Sequence, residues 1–364
     1  MFVHFAMQNN HFLLYGANGY TGELIARYAN KYNLQPILAG RRKEALIPLA
    51  EKLKLPYKVI KLDDQAALIA ALQEVEVVVH AAGPFHITAK PMIDACLKTG
   101  THYTDINGDL DVFQMLQNYD EAAKQAGIMI MSGVGFDVVP TDCMALFLQK
   151  LLPDATALKI AFATPGGGLS HGTATTSIFK MGEPGAERKG GKIVPVPLGQ
   201  KGMWVDFADG SGGEKKLFVM SLPWGDIFTA YVTTGIPDIE SYTAMPKAVH
   251  QLLKFQGLFN PLLRTSLMRR LVQKIIDNKA PGLDDTRRHK SKSLVWGQAT
   301  NNAGKKATAR LSAPDAYTLT ADSTLLITQK ILQGQFSTGY QTPAGVYGED
   351  LVMEIPGVKR EIVE

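Results

Sequence analysis

Between Phe12 and Gly22 the chain reads FLLYGANGYTG, an apolar run, a turn punctuated by glycine and the start of an amphipathic stretch. Gly16 permits a tight turn out of a strand, Gly19 lets the backbone approach a pyrophosphate, and Gly22 lets a helix pack closely on the strand. With Asn18, Tyr20 and Thr21 they would cradle phosphates at a helix N-terminus, where free N–H groups and a partial positive charge meet an anion. The spacing is GxxGxxG rather than GxGxxG, so the loop needs support from its surroundings. The next strand-like piece ends in Leu38-Ala39-Gly40-Arg41-Arg42, with no carboxylate before the arginines. An acidic residue at this point takes a ribose 2′-hydroxyl, whereas arginine accommodates a 2′-phosphate, so NADPH is expected over NADH. The plainer alternative is that Arg41 and Arg42 solvate a helix start. Asp63, closing the third strand, either borders the adenine or is an ordinary turn carboxylate. After the fourth strand, Ala82-Gly83-Pro84-Phe85 leaves room for the second half of a dinucleotide.

Hydride transfer to a C=O, C=N or C=C bond needs a positioned nicotinamide, a proton donor and stabilisation of developing charge. Asp105 ends the fifth strand beside His102 and Tyr103, where half-burial would raise its pKa, although Asn107-Gly108 also suits a turn-capping carboxylate. Asp137, in Gly135-Phe136-Asp137, is a second candidate donor or a turn residue; Thr141 or Asp142 is expected as a helix N-cap. Cys143 falls in that helix's first turn, where a thiol pKa can drop, although most cysteines so placed are packed and hydride chemistry requires no thiolate; Cys96 lies on an apolar helix and belongs to the core. His171, after the glycine run 166–168, is the second half's best-placed proton donor, or an exposed cap. No histidine or cysteine spacing suits a metal site. Tyr57 and Lys61 match a Tyr-x-x-x-Lys pair, but within a strand rather than on the helix that chemistry requires, and Asn301–Gly304 lies far from the cofactor unit.

The elements that must position these residues alternate. Strands are expected at Phe12–Tyr15, Pro36–Ala39, Tyr57–Lys61, Val75–Ala81, His102–Asp105 and Ile128–Ser132. Helices are expected at Gly22–Lys31, Lys43–Leu53, Asp64–Leu72, Ala89–Lys98 and Asp111–Gln125, with Gly127 as a C-cap. This alternation predicts an α/β fold, a Rossmann-type doubly wound parallel sheet covered on both faces, over residues 1–152. From 153 to about 315 the pattern becomes α+β: strand-like Ala157–Ala163, Leu217–Ser221 and Phe228–Thr234, a polar, flexible composition over 182–214, a helical zone over 247–279 and a strand at Lys306–Leu311. Residues 316–364 form a final segment.

The 364 residues are 46% hydrophobic and 20% charged, ordinary for two globular domains. A net charge of +4 and a pI near 8.8 fall short of a nucleic-acid footprint. Two cysteines cannot form a disulfide framework, the N-terminus lacks a signal-peptide pattern, and no apolar run is long enough to span a membrane. A cytoplasmic protein is expected. Residues 247–292 combine leucines and phenylalanines with Arg264, Arg269, Arg270, Lys274, Arg287, Arg288, Lys290 and Lys292. A basic amphipathic segment of this kind packs on the second domain, covers a lipid-like substrate as a lid, or contacts an anionic membrane.

With GANGYTGELIARY, AAGPF, THYTDINGD (101–109), GVGFDVVPTD (133–142), SHGTATTS (170–177), PWGDIFTAYVTTGIPDIESY (223–242) and YQTPAGVYGEDLVMEIPG (340–357) in this order, the chain resembles the saccharopine dehydrogenase-like oxidoreductases, including the trans-acting enoyl reductase branch. The resemblance implies an NADP(H)-binding Rossmann domain, a second domain supplying the substrate wall and a homodimer contact, and a C-terminal segment returning to the first domain. It leaves open a lipid or polyketide precursor, an amino-acid imine, or a non-catalytic adaptor bound to cofactor at a membrane surface.

Overall fold

The structure, a computed structural model, describes residues 10–363 except 169, 171–173, 176–177, 179, 181, 211 and 279–281. Strands β1 (His11–Tyr15), β2 (Gln35–Gly40), β3 (Tyr57–Val59), β4 (Val77–His80), β5 (His102–Asp105) and β6 (Met129–Ser132) pair in parallel in the order β3-β2-β1-β4-β5-β6. Helices α1 (Tyr20–Tyr28), α2 (Lys43–Leu53), α3 (Gln65–Leu72), α4 (Phe85–Thr99), α5 (Leu110–Gln117) and α6 (Asp120–Ala126) make the crossovers. Phe12–Tyr15 and Val77–His80 are buried at every position, as parallel strands covered on both faces must be. The order reverses between β1 and β4, and the loops leaving these strands flank the crevice where an open α/β sheet binds its ligand. The expected single helix over 111–125 is two, α5 and α6, because the chain breaks at Asn118–Tyr119.

Helix α7 (Val139–Leu151) leads to a mixed sheet of β7 (Ala155–Ala163), the hairpin β8 (Gly185–Lys189) and β9 (Lys192–Val196), β10 (Gly202–Ala208), β11 (Glu214–Ser221), β12 (Asp238–Ala244), β13 (Lys292–Asn301) and β14 (Lys306–Pro314). The polar 182–214 stretch is therefore largely strand. Residues 228–234, expected as strand, instead belong to helix α8 (Asp226–Thr234), which Gly235 closes in the left-handed conformation at φ 72°. Their β-branched residues favour strand locally, but packing against α7 and the burial of five consecutive residues, Asp226–Ala230, accompany the helix instead. The helical zone divides into α9 (Lys247–Leu253), α10 (Gln256–Leu263) and α11 (Ser266–Asp277), the last capped by the Thr265 hydroxyl, and is followed by the short α12 (Asp285–Lys290).

The C-terminal segment touches both halves. Helix α13 (Ala316–Leu332) packs on α1, and β15 (Gly339–Gln341) extends the first sheet beside β6. After α14 (Pro343–Tyr347), β16 (Lys359–Ile362) adds to β14 at the edge of the second sheet. One apolar core runs through both halves, from Leu14 and Met131 through Met144 and Leu148 to Ile160, Val295 and Leu325. Helix α7 is its centre. A Cβ on Gly297 of β13 would stand 2.7 Å from Leu148 and 2.8 Å from Met144, so glycine there permits the close approach.

Candidate active site

The turn after β1 meets the requirements of a phosphate loop. Gly16 holds φ +90°, and a Cβ on it would stand 2.7 Å from the Ala81 carbonyl carbon and the Ala82 nitrogen, so the loops leaving β1 and β4 touch only because it is glycine. A Cβ on Gly22 would lie 2.4 Å from the Gly16 oxygen, whereas one on Gly19 would meet only that oxygen, at 3.3 Å. Gly19 therefore borders open space. No side chain caps α1, which leaves its first-turn N–H groups for an anion. Asn18 reaches over the end of β2, its Oδ1 3.0 Å from where a Gly40 Cβ would be. Arg41 and Arg42 follow, both exposed, Arg42 at the N-cap of α2. Burial pushes the Tyr15 hydroxyl up to about 12; the Arg41 charge opposes this shift and the Asp63 charge adds to it, which puts both residues beside the same strand end. These residues fit a dinucleotide with a 2′-phosphate at the arginines. Tyr20 does something else: its hydroxyl donates to the Leu283 carbonyl (2.6 Å), and its ring meets Tyr317 edge-on.

At the other half of the crevice, Ala82, Gly83 and Pro84 are solvent-accessible. Thr88 fastens their loop, donating to the carbonyls of Ala82 (2.7 Å) and Pro84 (3.2 Å), and its oxygen lies 3.0 Å from His80 Nε2. Burial lowers the His80 pKa to about 3, so the ring is neutral; Tyr15, Phe85 and Tyr103 surround it. The sequence reading passed over His80, since nothing in its spacing set it apart from a core residue.

Asp105 is fully buried, and its carboxylate accepts from Tyr103 Oη (2.7 Å), Ser132 Oγ (2.7 Å) and the N–H groups of Asn107 (3.0 Å) and Gly133 (2.9 Å). Burial raises its pKa and the four donors oppose that rise. It ties the ends of β5 and β6 together. Asp137 differs. It is partly exposed, accepts no hydrogen bond from any described residue, and burial pushes its carboxyl up to about 6. Its Oδ2 lies 2.8 Å from where a Gly108 Cβ would stand, so the loops after β5 and β6 meet around it.

The second domain closes this corner. Phe136 packs edge-on against Phe162, and Phe162 against Trp224, whose indole N–H finds no acceptor among the described residues. Asp226 is buried; burial raises its pKa to about 7, and the charges of Asp137 and Asp142 add to the shift. Thr141 and Ser241 donate to it. Thr141 and Asp142 are therefore not N-caps: both sit inside α7, and Asp142 accepts from Thr233 (2.6 Å) and the Ala344 N–H (2.8 Å). Burial likewise pushes Cys143 upward rather than activating it. His171 lies outside the described residues; its neighbour Ser170 donates its N–H to Tyr317 Oη. Lys180 pairs with Asp109 (3.2 Å) and Asp111, bringing the same segment onto the first domain. The described residues contain no His, Cys, Asp and Glu group arranged to hold a metal.

Residues 12–131 match the saccharopine dehydrogenase NADP binding domain. The chain is similar to the human saccharopine dehydrogenase-like oxidoreductase, 26% identical over 216 residues that cover 52% of this chain and 50% of that protein. It is also similar to the trans-acting enoyl reductase of Mycobacterium ulcerans, 30% identical over 138 residues, 36% of this chain and 33% of that one. The chain thus spans about half the length of the first relative and less of the second. In fold it resembles the apo saccharopine dehydrogenase (L-Glu forming) of Saccharomyces cerevisiae, with a TM-score of 0.66 and 14% identity over 98% of this chain and 100% of that one. The glycine loop, the paired arginines and the β4 loop thus lie within the residues that match the saccharopine dehydrogenase NADP binding domain, and the chain carrying them is similar over about half its length to a saccharopine dehydrogenase-like oxidoreductase.

Proposed function

We propose that the protein is an NADPH-dependent reductase, delivering hydride to a C=C, C=N or C=O bond in the crevice between its domains, with Asp137 as proton donor. The observation that carries this reading is Asp137 itself, an unpaired, partly exposed carboxyl of raised pKa at the sheet end, near enough to Asp226 of the second domain for their charges to interact. Bound along Gly16–Gly22 with its 2′-phosphate at Arg41 and Arg42, the cofactor would supply hydride to the electrophilic carbon. The residues of the chain do the rest. Thr88 and His80 hold the Ala82–Pro84 loop against the crevice, and Asp105 fixes the two loops that frame Asp137. Protonated Asp137 then gives its proton to the atom that receives the electron pair. Asp105 is the weaker donor because its oxygens are already occupied. His171 is the remaining candidate.

An acyl or lipid-like precursor is the preferred substrate class, supported by the relation to an enoyl reductase and by the apolar surface of α9–α11; an amino-acid imine is the alternative. A homodimer formed through the second domain belongs to this reading. NADPH oxidation should be followed with an enoyl thioester, a ketone and an imine, for the native protein and for Asp137→Asn. Turnover of one class, falling about 10²–10⁴-fold in the variant while NADPH affinity holds, is the expected result. Unchanged turnover in Asp137→Asn would remove it from the reaction.

A further inference from the structure

Helices α9, α10 and α11 carry no fully buried residue, an unusual state for three consecutive helices rich in leucine. Of the nineteen exposed large apolar side chains among the described residues, eight lie between 249 and 275. Leu258 is 83% exposed, Leu267 69% and Phe255 62%, so these are not half-covered flanks of a core. On α11 the exposed Leu267, Leu271 and Ile275 recur every four residues and form one stripe along the helix. An apolar surface this concentrated marks a site of contact.

The charges around it identify the contact. Residues 247–276 contain six lysines and arginines and no aspartate or glutamate. Two of the six have partners: Arg264 donates to the Gly182 carbonyl (2.9 Å), and Arg269 pairs with Glu183 (3.4 Å). Lys247, Lys254, Arg270 and Lys274 are exposed and have no ion pair among the described residues. A second copy of the chain would bring this basic rim against itself. An anionic lipid headgroup layer satisfies both features at once, because apolar side chains enter the acyl boundary while lysine and arginine meet the phosphates. No helix among the described residues is long and apolar enough to cross a membrane, so the segment would lie in the interface.

We propose that residues 247–277 dock the protein on an anionic lipid bilayer surface, with Phe255, Leu258, Leu262, Leu267, Leu271 and Ile275 inserted and the four unpaired cations at the headgroups.

The test is co-sedimentation of the full chain with phosphatidylcholine vesicles, with and without phosphatidylglycerol, at low and at high salt. Binding should require phosphatidylglycerol and weaken at high salt. The pairs Leu258→Asp with Leu267→Asp, and Arg270→Glu with Lys274→Glu, should each weaken it about tenfold or more. Unchanged NADPH affinity in both pairs shows that they fold. In a Leu258→Trp variant, the added emission should shift to the blue on anionic vesicles only. Absence of vesicle binding, equal binding to neutral vesicles, or variants that bind like the native chain would overturn the proposal. Light scattering that shows a dimer dissociated by the Leu258→Asp pair, without vesicle binding, would overturn it in favour of a second copy.

Discussion

Asp105 accepts from four donors supplied by β5, β6 and their loops, so a substrate atom would have to displace one of them to reach it. Asp137, on the loop that follows β6, keeps its lone pairs free, and burial alone raises its pKa to about 6. If it is the proton donor, the active form is protonated, so turnover should be lost as pH rises through about 6; a pH–rate profile in which this limb disappears in Asp137→Asn checks the assignment. At the other end of the crevice, Arg41→Ala with Arg42→Ala should cost NADPH roughly 1.5–3 kcal/mol per lost phosphate contact and leave NADH almost unchanged, measurable by fluorescence titration. The glycine turn was legible because its geometry demands that residue type at fixed spacing. The difference between Asp105 and Asp137 was not. It depends on donors such as Ser132, 27 positions away in sequence, which only the sheet brings near.

Among the elements, α7 and α8 show where local pattern failed. Periodicity located the central strands of the first sheet because β1, β4, β5 and β6 are buried on both faces, but α8 carries threonine, tyrosine and valine that a strand would also use. Its partner α7 explains the choice: Thr141 and Asp142 on α7 bond Asp226 and Thr233 on α8, a join invisible in either segment alone. The join has a pH signature. Asp142 and Asp226 both rise to about 7 by burial, so the folded chain holds protons that the unfolded chain releases nearer 4. Their contribution to stability is present below the unfolded value and is lost as pH rises through 7. The melting temperature should therefore be higher near pH 5.5 than near pH 8, by a few degrees, and Asp142→Asn or Asp226→Asn should flatten that slope. Asp285, held down near 2 mainly by Arg27, acts the other way but only in stronger acid, outside this window.

For the whole molecule, sequence composition divided the chain near 152, between β6, which ends at Ser132, and β7, which begins at Ala155. The division is not energetic, since one apolar core crosses it through α7 and the final segment contributes β15 to one sheet and β16 to the other. Loss of either sheet exposes the shared core, so calorimetry should record a single unfolding transition; two separated transitions would show independent halves. Residues after α11 make a further connection, to the phosphate-loop helix itself. Tyr20 bonds Leu283, Arg27 pairs with Asp285 at 2.8 Å, and the buried Arg288 reaches Tyr28 and pairs with Asp285. The helix whose N-terminus lacks a side-chain cap is thus latched to the stretch of chain that follows the apolar helices. Any coupling through this latch would be reciprocal: the factor by which bound cofactor changed surface docking would equal the factor by which docking changed cofactor affinity.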